Sequence, residues 1–304
     1  MAASSPFNPK SQYHVRSNSL PTRPHPLIQL CNTHLCRLGA SDGTSSTSSS
    51  SSSISHKLSG LEDLHDCVDK LLLLPLTQKA FVQGRNEKWV DELLDGSLRL
   101  LDACSAAKDA VLHTKECARE VQSIIRTRRG GEGGLVSEVR KYLASRKVMK
   151  KAVSKALGNV KGVRTKCSVS SKDNETVALV GVLREVEAVT LAVFESLLSF
   201  TSGTKAGSKL SGWSLVSNLV MNSKKVGCDE EETDANEFAK VDAALQSLLC
   251  YDTEKSEQYN PQVENVRSEL QKLELCVQDL EGRLEYIFRR LIKIRVSLLN
   301  ILNN

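Results

Sequence analysis

Residues 261–302 read PQVENVRSELQKLELCVQDLEGRLEYIFRRLIKIRVSLLNIL. Their apolar positions are Val263, Val266, Leu270, Leu273, Val277, Leu280, Leu284, Ile287, Leu291, Ile294, Leu298 and Ile301, with gaps of three and four alternating without a break. That spacing places them on one face of an α-helix and continues for nearly six heptads. At 1.5 Å per residue, a helix of about 42 residues reaches roughly 60 Å. Pro261 suits its first turn, where a missing N–H costs no intrahelical bond. Either a second copy, in a coiled coil, or other long helices of the same chain can fill such a seam. Ile292, Val296 and Leu299 widen the apolar face beyond a two-stranded seam, which favours packing within a monomer.

The rest of the chain supplies those other helices. Leu93, Ser97, Leu100, Cys104, Ala107, Val111, Thr114, Ala118, Val121 and Ile125 keep the same alternation in a helix predicted over 86–126. None is charged and many are small, so a neighbouring helix can approach closely. Leu61, Leu64, Val68, Leu71 and Leu72 predict a helix that Pro75 stops, followed by a short one over 76–83. Helices are also predicted over 135–157, with Leu135, Val139, Tyr142, Met149 and Val153 near one face, and over 174–200 and 235–250, with a short one over 212–221. The expected fold is all-α: an elongated bundle of long antiparallel helices forming one domain over 56–304. Flexible breaks are expected near 128–134, 158–173 and 202–234. Residues 1–55 hold 15 Ser and five of the seven Pro, a composition that predicts a disordered tail.

The chain has 304 residues, 4% aromatics and 17 Gly, a poor kit for a β-sandwich or a Gly-rich nucleotide fold. Nine scattered cysteines, and no apolar run after Met1, predict reduced thiols in an intracellular protein. The cytoplasm is the favoured compartment, with the nucleus or a plastid as alternatives. The apolar stretch 176–200 is broken by Arg184, Glu185, Glu187 and Glu195 and does not read as a membrane span.

No phosphate-cradling loop and no nucleophile elbow is present, so the expectation is a protein without enzymatic activity and without a cofactor. Glu62, Asp63, Asp66 and Asp69 read as a solvated helix face. Cys31, His34 and Cys36 offer metal-ligand chemistry, but the next candidates, His65 and Cys67, lie beyond the serine tract. His113 and Cys117 share a helix face without a third ligand, so no metal is expected.

Charge is more informative. Residues 126–172 hold 14 basic and 2 acidic side chains, whereas residues 173–304 hold 14 basic and 21 acidic. The segment 139–166 is a basic amphipathic stretch with Arg140, Lys141, Arg146, Lys147, Lys150, Lys151 and Lys155 on its helix. It either faces water, partly matched by the acidic helices after 173, or binds an acidic protein such as calmodulin, or an anionic membrane surface. Nucleic acid is disfavoured, because single-strand binding uses aromatic stacking platforms that this composition lacks. In the tail, Arg16-Ser-Asn-Ser19-Leu-Pro21 places a phosphorylatable Ser19 three residues after Arg16 and two before Pro21. That matches the capture of phosphoserine by 14-3-3 proteins.

Several blocks taken together carry a resemblance. They are His14-Val-Arg-Ser-Asn-Ser-Leu-Pro-Thr-Arg-Pro-His-Pro26, Leu64-His-Asp-Cys-Val-Asp-Lys-Leu-Leu72, Lys88-Trp-Val-Asp-Glu-Leu-Leu-Asp-Gly-Ser-Leu-Arg-Leu-Leu-Asp102, Ser145-Arg-Lys147 and Arg289-Arg-Leu-Ile-Lys-Ile-Arg-Val-Ser-Leu-Leu-Asn-Ile-Leu302. Across nearly its whole length the chain resembles a plant-specific family related to the BYPASS developmental proteins. The resemblance implies an all-helical protein, no catalytic residues to carry over, and a role in root and shoot development.

Overall fold

The computed structural model describes residues 25–44, 50–127, 131–161, 174–203, 235–251 and 261–303. In these residues the chain forms α1 (Pro26–Thr44), α2 (Ser51–Leu72), α3 (Pro75–Gln83), α4 (Lys88–Thr127), α5 (Gly131–Lys161), α6 (Asn174–Ser202), α7 (Glu237–Tyr251) and α8 (Pro261–Asn303). No strand occurs among the described residues, and the all-α expectation holds.

The α8 seam is the axis of the molecule. Every seam residue from Val266 to Ile301 is buried, and Val263 is half-buried against the same core. The chain fills the seam itself, chiefly with α4, α2 and α7. Pairs between α4 and α8 run in opposite directions: Lys108 with Glu285, Lys115 with Glu281 and Gln122 with Glu274. The two longest helices are therefore antiparallel. The small seam of α4 allows the close approach, with Ala103, Cys104, Ala107 and Val111 all buried.

On its other flank α8 meets α2, and here the direction is parallel. Glu62 accepts from Arg283, Asp66 from Tyr286, and Asp69 from Arg290 and Lys293. The chain reverses between α2 and α4, so a helix antiparallel to α4 must run with α2. Asp63 stays exposed, paired with Arg37 of α1, but Glu62, Asp66 and Asp69 are not the solvated face expected from their spacing. They form a ladder against the basic C-terminal end of α8.

The N-terminal boundary also differs from the expected 1–55 tail. Residues 26–44 are helical and pack on α2 through Ile28, Cys31, Leu35 and Leu38, which are all buried. Those four residues are spaced three, four and three apart, a helical stripe that the Ser/Pro-rich composition masks. The serine run has a structural use too: Ser50 caps α2 by accepting the Ser53 N–H at 3.3 Å. Residues 1–24 and 45–49 of the expected tail lie outside the described residues, as does the helix expected over 212–221. The expected break at 128–134 is shorter on its far side, since α5 begins at Gly131.

Candidate functional site

α5 sorts its cations by helical phase. Val139, Tyr142, Arg146, Met149, Val153 and Leu157 point inward and are buried. Arg146 occupies a core position of the three-four seam, and that position decides its environment. Its Nε and Nη2 donate to the two carboxylate oxygens of Asp242 on α7, at 3.0 and 3.2 Å. Nη1 donates to the Thr201 carbonyl at the end of α6, at 3.0 Å, and the guanidinium lies 5.4 Å from the Phe238 ring centroid. Arg146 is 2% exposed. A cation at that depth needs this full set of partners, because burying it unpaired is costly. Arg146 is therefore a core tie between α5, α6 and α7, and it leaves the surface patch expected from the sequence.

Lys150 and Lys141 are also partly spoken for. Lys150 adds a second cation to Asp242 at 2.8 Å. Lys141 bridges Glu120 of α4 at 2.8 Å and Glu138 of its own helix at 3.2 Å. The hydrogen bonds to Glu120 and then Glu138 hold the Lys141 ammonium above its ordinary pKa.

Arg140, Lys147, Lys151 and Lys155 remain. All four are exposed, and none makes an ion pair among the described residues. Gaps of seven, four and four place them within an arc of about 80° along roughly 22 Å of helix. Val148, 67% exposed, sits at the edge of this stripe. The four guanidinium and ammonium groups can bind an anionic surface, with an apolar contact beside them.

The other sequence candidates divide. His113 shares a hydrogen bond with Ser145 Oγ at 2.5 Å, and Cys117 Sγ lies 3.4 Å from the same hydroxyl. His65 is turned into the core against Thr190, and His34 sits beside Arg37. No group of three or more His, Cys, Asp or Glu able to hold a metal is gathered among the described residues. Ser19, Arg16 and Pro21 lie outside the described residues. No helix among those described is long and apolar enough to cross a membrane.

Sequence reasoning missed the Arg146 tie. The signal was present: in the seam Val139, Tyr142, Met149, Val153 the step from 142 to 149 skips one position, and Arg146 fills it.

A family model described as Protein BPS1 matches residues 57–301, from α2 to the end of α8. No curated protein and no solved structure matches the chain.

Proposed function

The chain belongs to the Protein BPS1 family, and from that premise we propose that it is a non-enzymatic helical adaptor in plant development, docking acidic protein partners on the outer stripe of α5. Family membership suggests the developmental role; root and shoot tissue, and the cytoplasm as the working compartment, are parts of this proposal. One observation carries the docking surface: Arg140, Lys147, Lys151 and Lys155 share one exposed face, while the bundle itself absorbs Arg146, Lys150 and Lys141. Complementary charge across such a face steers encounter and selects partners.

The test uses the full chain and a fluorescent polyglutamate peptide followed by anisotropy. Reversing Arg140, Lys147, Lys151 and Lys155 to Glu is expected to weaken binding by roughly tenfold or more, with the salt dependence lost and the melting temperature unchanged. Equal affinity for both proteins refutes the stripe as a docking surface.

A second reading, attachment to an anionic membrane, is favoured by Val148 standing exposed beside the cations. Vesicles containing phosphatidylserine would then sediment the wild-type chain and not the charge-reversed one; failure to sediment either removes this reading. A calmodulin clamp asks more of the fold. Clamps read the apolar face of a helix, and that face of α5 is buried, so α5 would have to leave the bundle.

The same reading places gating by a phosphoserine-binding protein such as a 14-3-3 at Ser19, on the Arg16-to-Pro21 spacing. A phosphate-affinity gel on protein from native tissue should show a shifted band that Ser19→Ala abolishes; no shift in the wild type refutes it.

A further inference from the structure

α1 and α2 lie antiparallel and close. Arg37 pairs with Asp63, and a Cβ added at Gly60 would fall 2.6 Å from Leu38 Cδ2. Within this contact Cys31 and Cys67, 36 residues apart in sequence, bring their sulfurs to 2.7 Å. Both are buried, at 0% and 2% exposure. Among the described residues no other cysteines meet sulfur to sulfur. Cys36 is exposed, Cys104 faces the Leu284 carbonyl, and Cys117 faces Ser145. A disulfide needs an S–S separation of about 2.05 Å, which small side-chain rotations supply from here.

We propose that Cys31 and Cys67 are a redox modification site, joined by hydrogen peroxide in a reversible disulfide that fastens α1 to α2. Cys67 donates its S–H to the Leu27 carbonyl at 3.5 Å and accepts the Cys31 S–H on its sulfur. The bond from Cys31 lowers the pKa of Cys67 and raises that of Cys31, in line with attack by Cys67 and resolution by Cys31.

The Cys67 thiolate attacks one peroxide oxygen. The O–O bond breaks, hydroxide takes up a proton and leaves as water, and Cys67 becomes a sulfenic acid. The Cys31 sulfur then attacks the Cys67 sulfur. An S–S bond forms, the S–O bond breaks, and the Cys31 proton leaves with the hydroxyl as a second water. Two thiols have lost two electrons and two protons, and one peroxide has become two waters.

Peroxide reaches the pair when α1 opens. α1 is a 19-residue helix, the first among the described residues, docked on α2 and α6 chiefly by one apolar stripe, the kind of unit that detaches locally before the bundle unfolds. The bond would close α1 down on α2. In a reducing compartment such a bond is a transient signal rather than a permanent staple.

The full reduced chain is exposed to a few equivalents of hydrogen peroxide, quenched in acid, alkylated with N-ethylmaleimide and digested with trypsin without reduction. The expected product is the peptide Ser17–Arg37 joined to Leu58–Lys70, two hydrogens lighter than the separate peptides and released by dithiothreitol. Fragmentation should place the bond at Cys31 rather than Cys36, and Cys36→Ser should leave it unchanged. Amide hydrogen exchange over 26–44 should slow by roughly tenfold or more in the oxidised chain. Alkylation of both Cys31 and Cys67 after peroxide, or a bond that maps to Cys36, overturns the proposal. Unchanged exchange over 26–44 in the bonded chain overturns the fastening. Neither reading needs a variant of Cys31 or Cys67, so misfolding of a mutant cannot mimic either result.

Discussion

His65 lies between α2 and α6, fully buried, with one ring nitrogen satisfied. Thr190 spends its hydroxyl proton on the Val186 carbonyl at 2.7 Å, so His65 Nε2–H donates to Thr190 Oγ1 at 3.0 Å. Nδ1 has no partner. Burial, the largest influence, together with nearby Arg290, outweighs Asp66 and pushes the imidazole pKa down to about 4. The unfolded chain protonates this residue near 6.5, so it binds the extra proton first as pH falls. Stability is therefore lost between about pH 6.5 and 4 and levels off below, by at most about 3 kcal/mol. Urea titrations across that range should show a shallower fall for His65→Leu than for the wild type; parallel curves would contradict this. Arg146 makes a second prediction. Arg146→Ala removes the bidentate partner of Asp242, leaving the ion pair with Lys150 among the described residues, and should cost about 3 kcal/mol. Lys147→Ala, one residue on, should cost less than about 0.5 kcal/mol. Melting curves of the two variants check the contrast. The seven cations were legible in the sequence as a basic helix. Their division into one core tie, two paired lysines and an open stripe was not, because residue type alone does not give helical phase against a neighbour.

At the scale of elements, the same phase argument explains α1. A composition rich in Ser and Pro hides an apolar stripe of only four residues, and a stripe that short becomes stable by docking rather than by propensity. Leu35 is 3% exposed at the middle of that stripe. Leu35→Asp should release α1, raising hydrogen exchange over 26–44 while leaving α4 and α8 protected. If α4 and α8 lose protection as well, α1 is an integral layer of the core rather than a docked one. The long helices, by contrast, were legible almost to the residue. α4 runs over Lys88–Thr127 where 86–126 was expected, and α8 over Pro261–Asn303 where 261–302 was expected. Their seams repeat through many turns, so a misplaced residue changes little. The acidic face of α2 was harder to read, since a carboxylate ladder facing another helix has the same sequence pattern as one facing water.

At the scale of the whole molecule, the α8 seam bears on oligomeric state. Leu280, Leu284 and Ile287 are fully buried by the chain's own helices, leaving no seam for a second copy. Light scattering of the full chain should give the monomer mass of 33.4 kDa; twice that mass would contradict this. Leu284→Ala should cost about 2–5 kcal/mol through the cavity it leaves. Ile292, Val296 and Leu299 of α8 are exposed, so the wider apolar face expected from the sequence is not used in packing among the described residues. The adaptor reading rests on the outer face of α5. Proximity labelling in native tissue tests it most directly, comparing the wild-type chain with one carrying Arg140, Lys147, Lys151 and Lys155 reversed to Glu. The account predicts that the acidic proteins labelled around the wild type drop out around the charge-reversed chain, at equal abundance and equal melting temperature. An unchanged set of labelled proteins would contradict it.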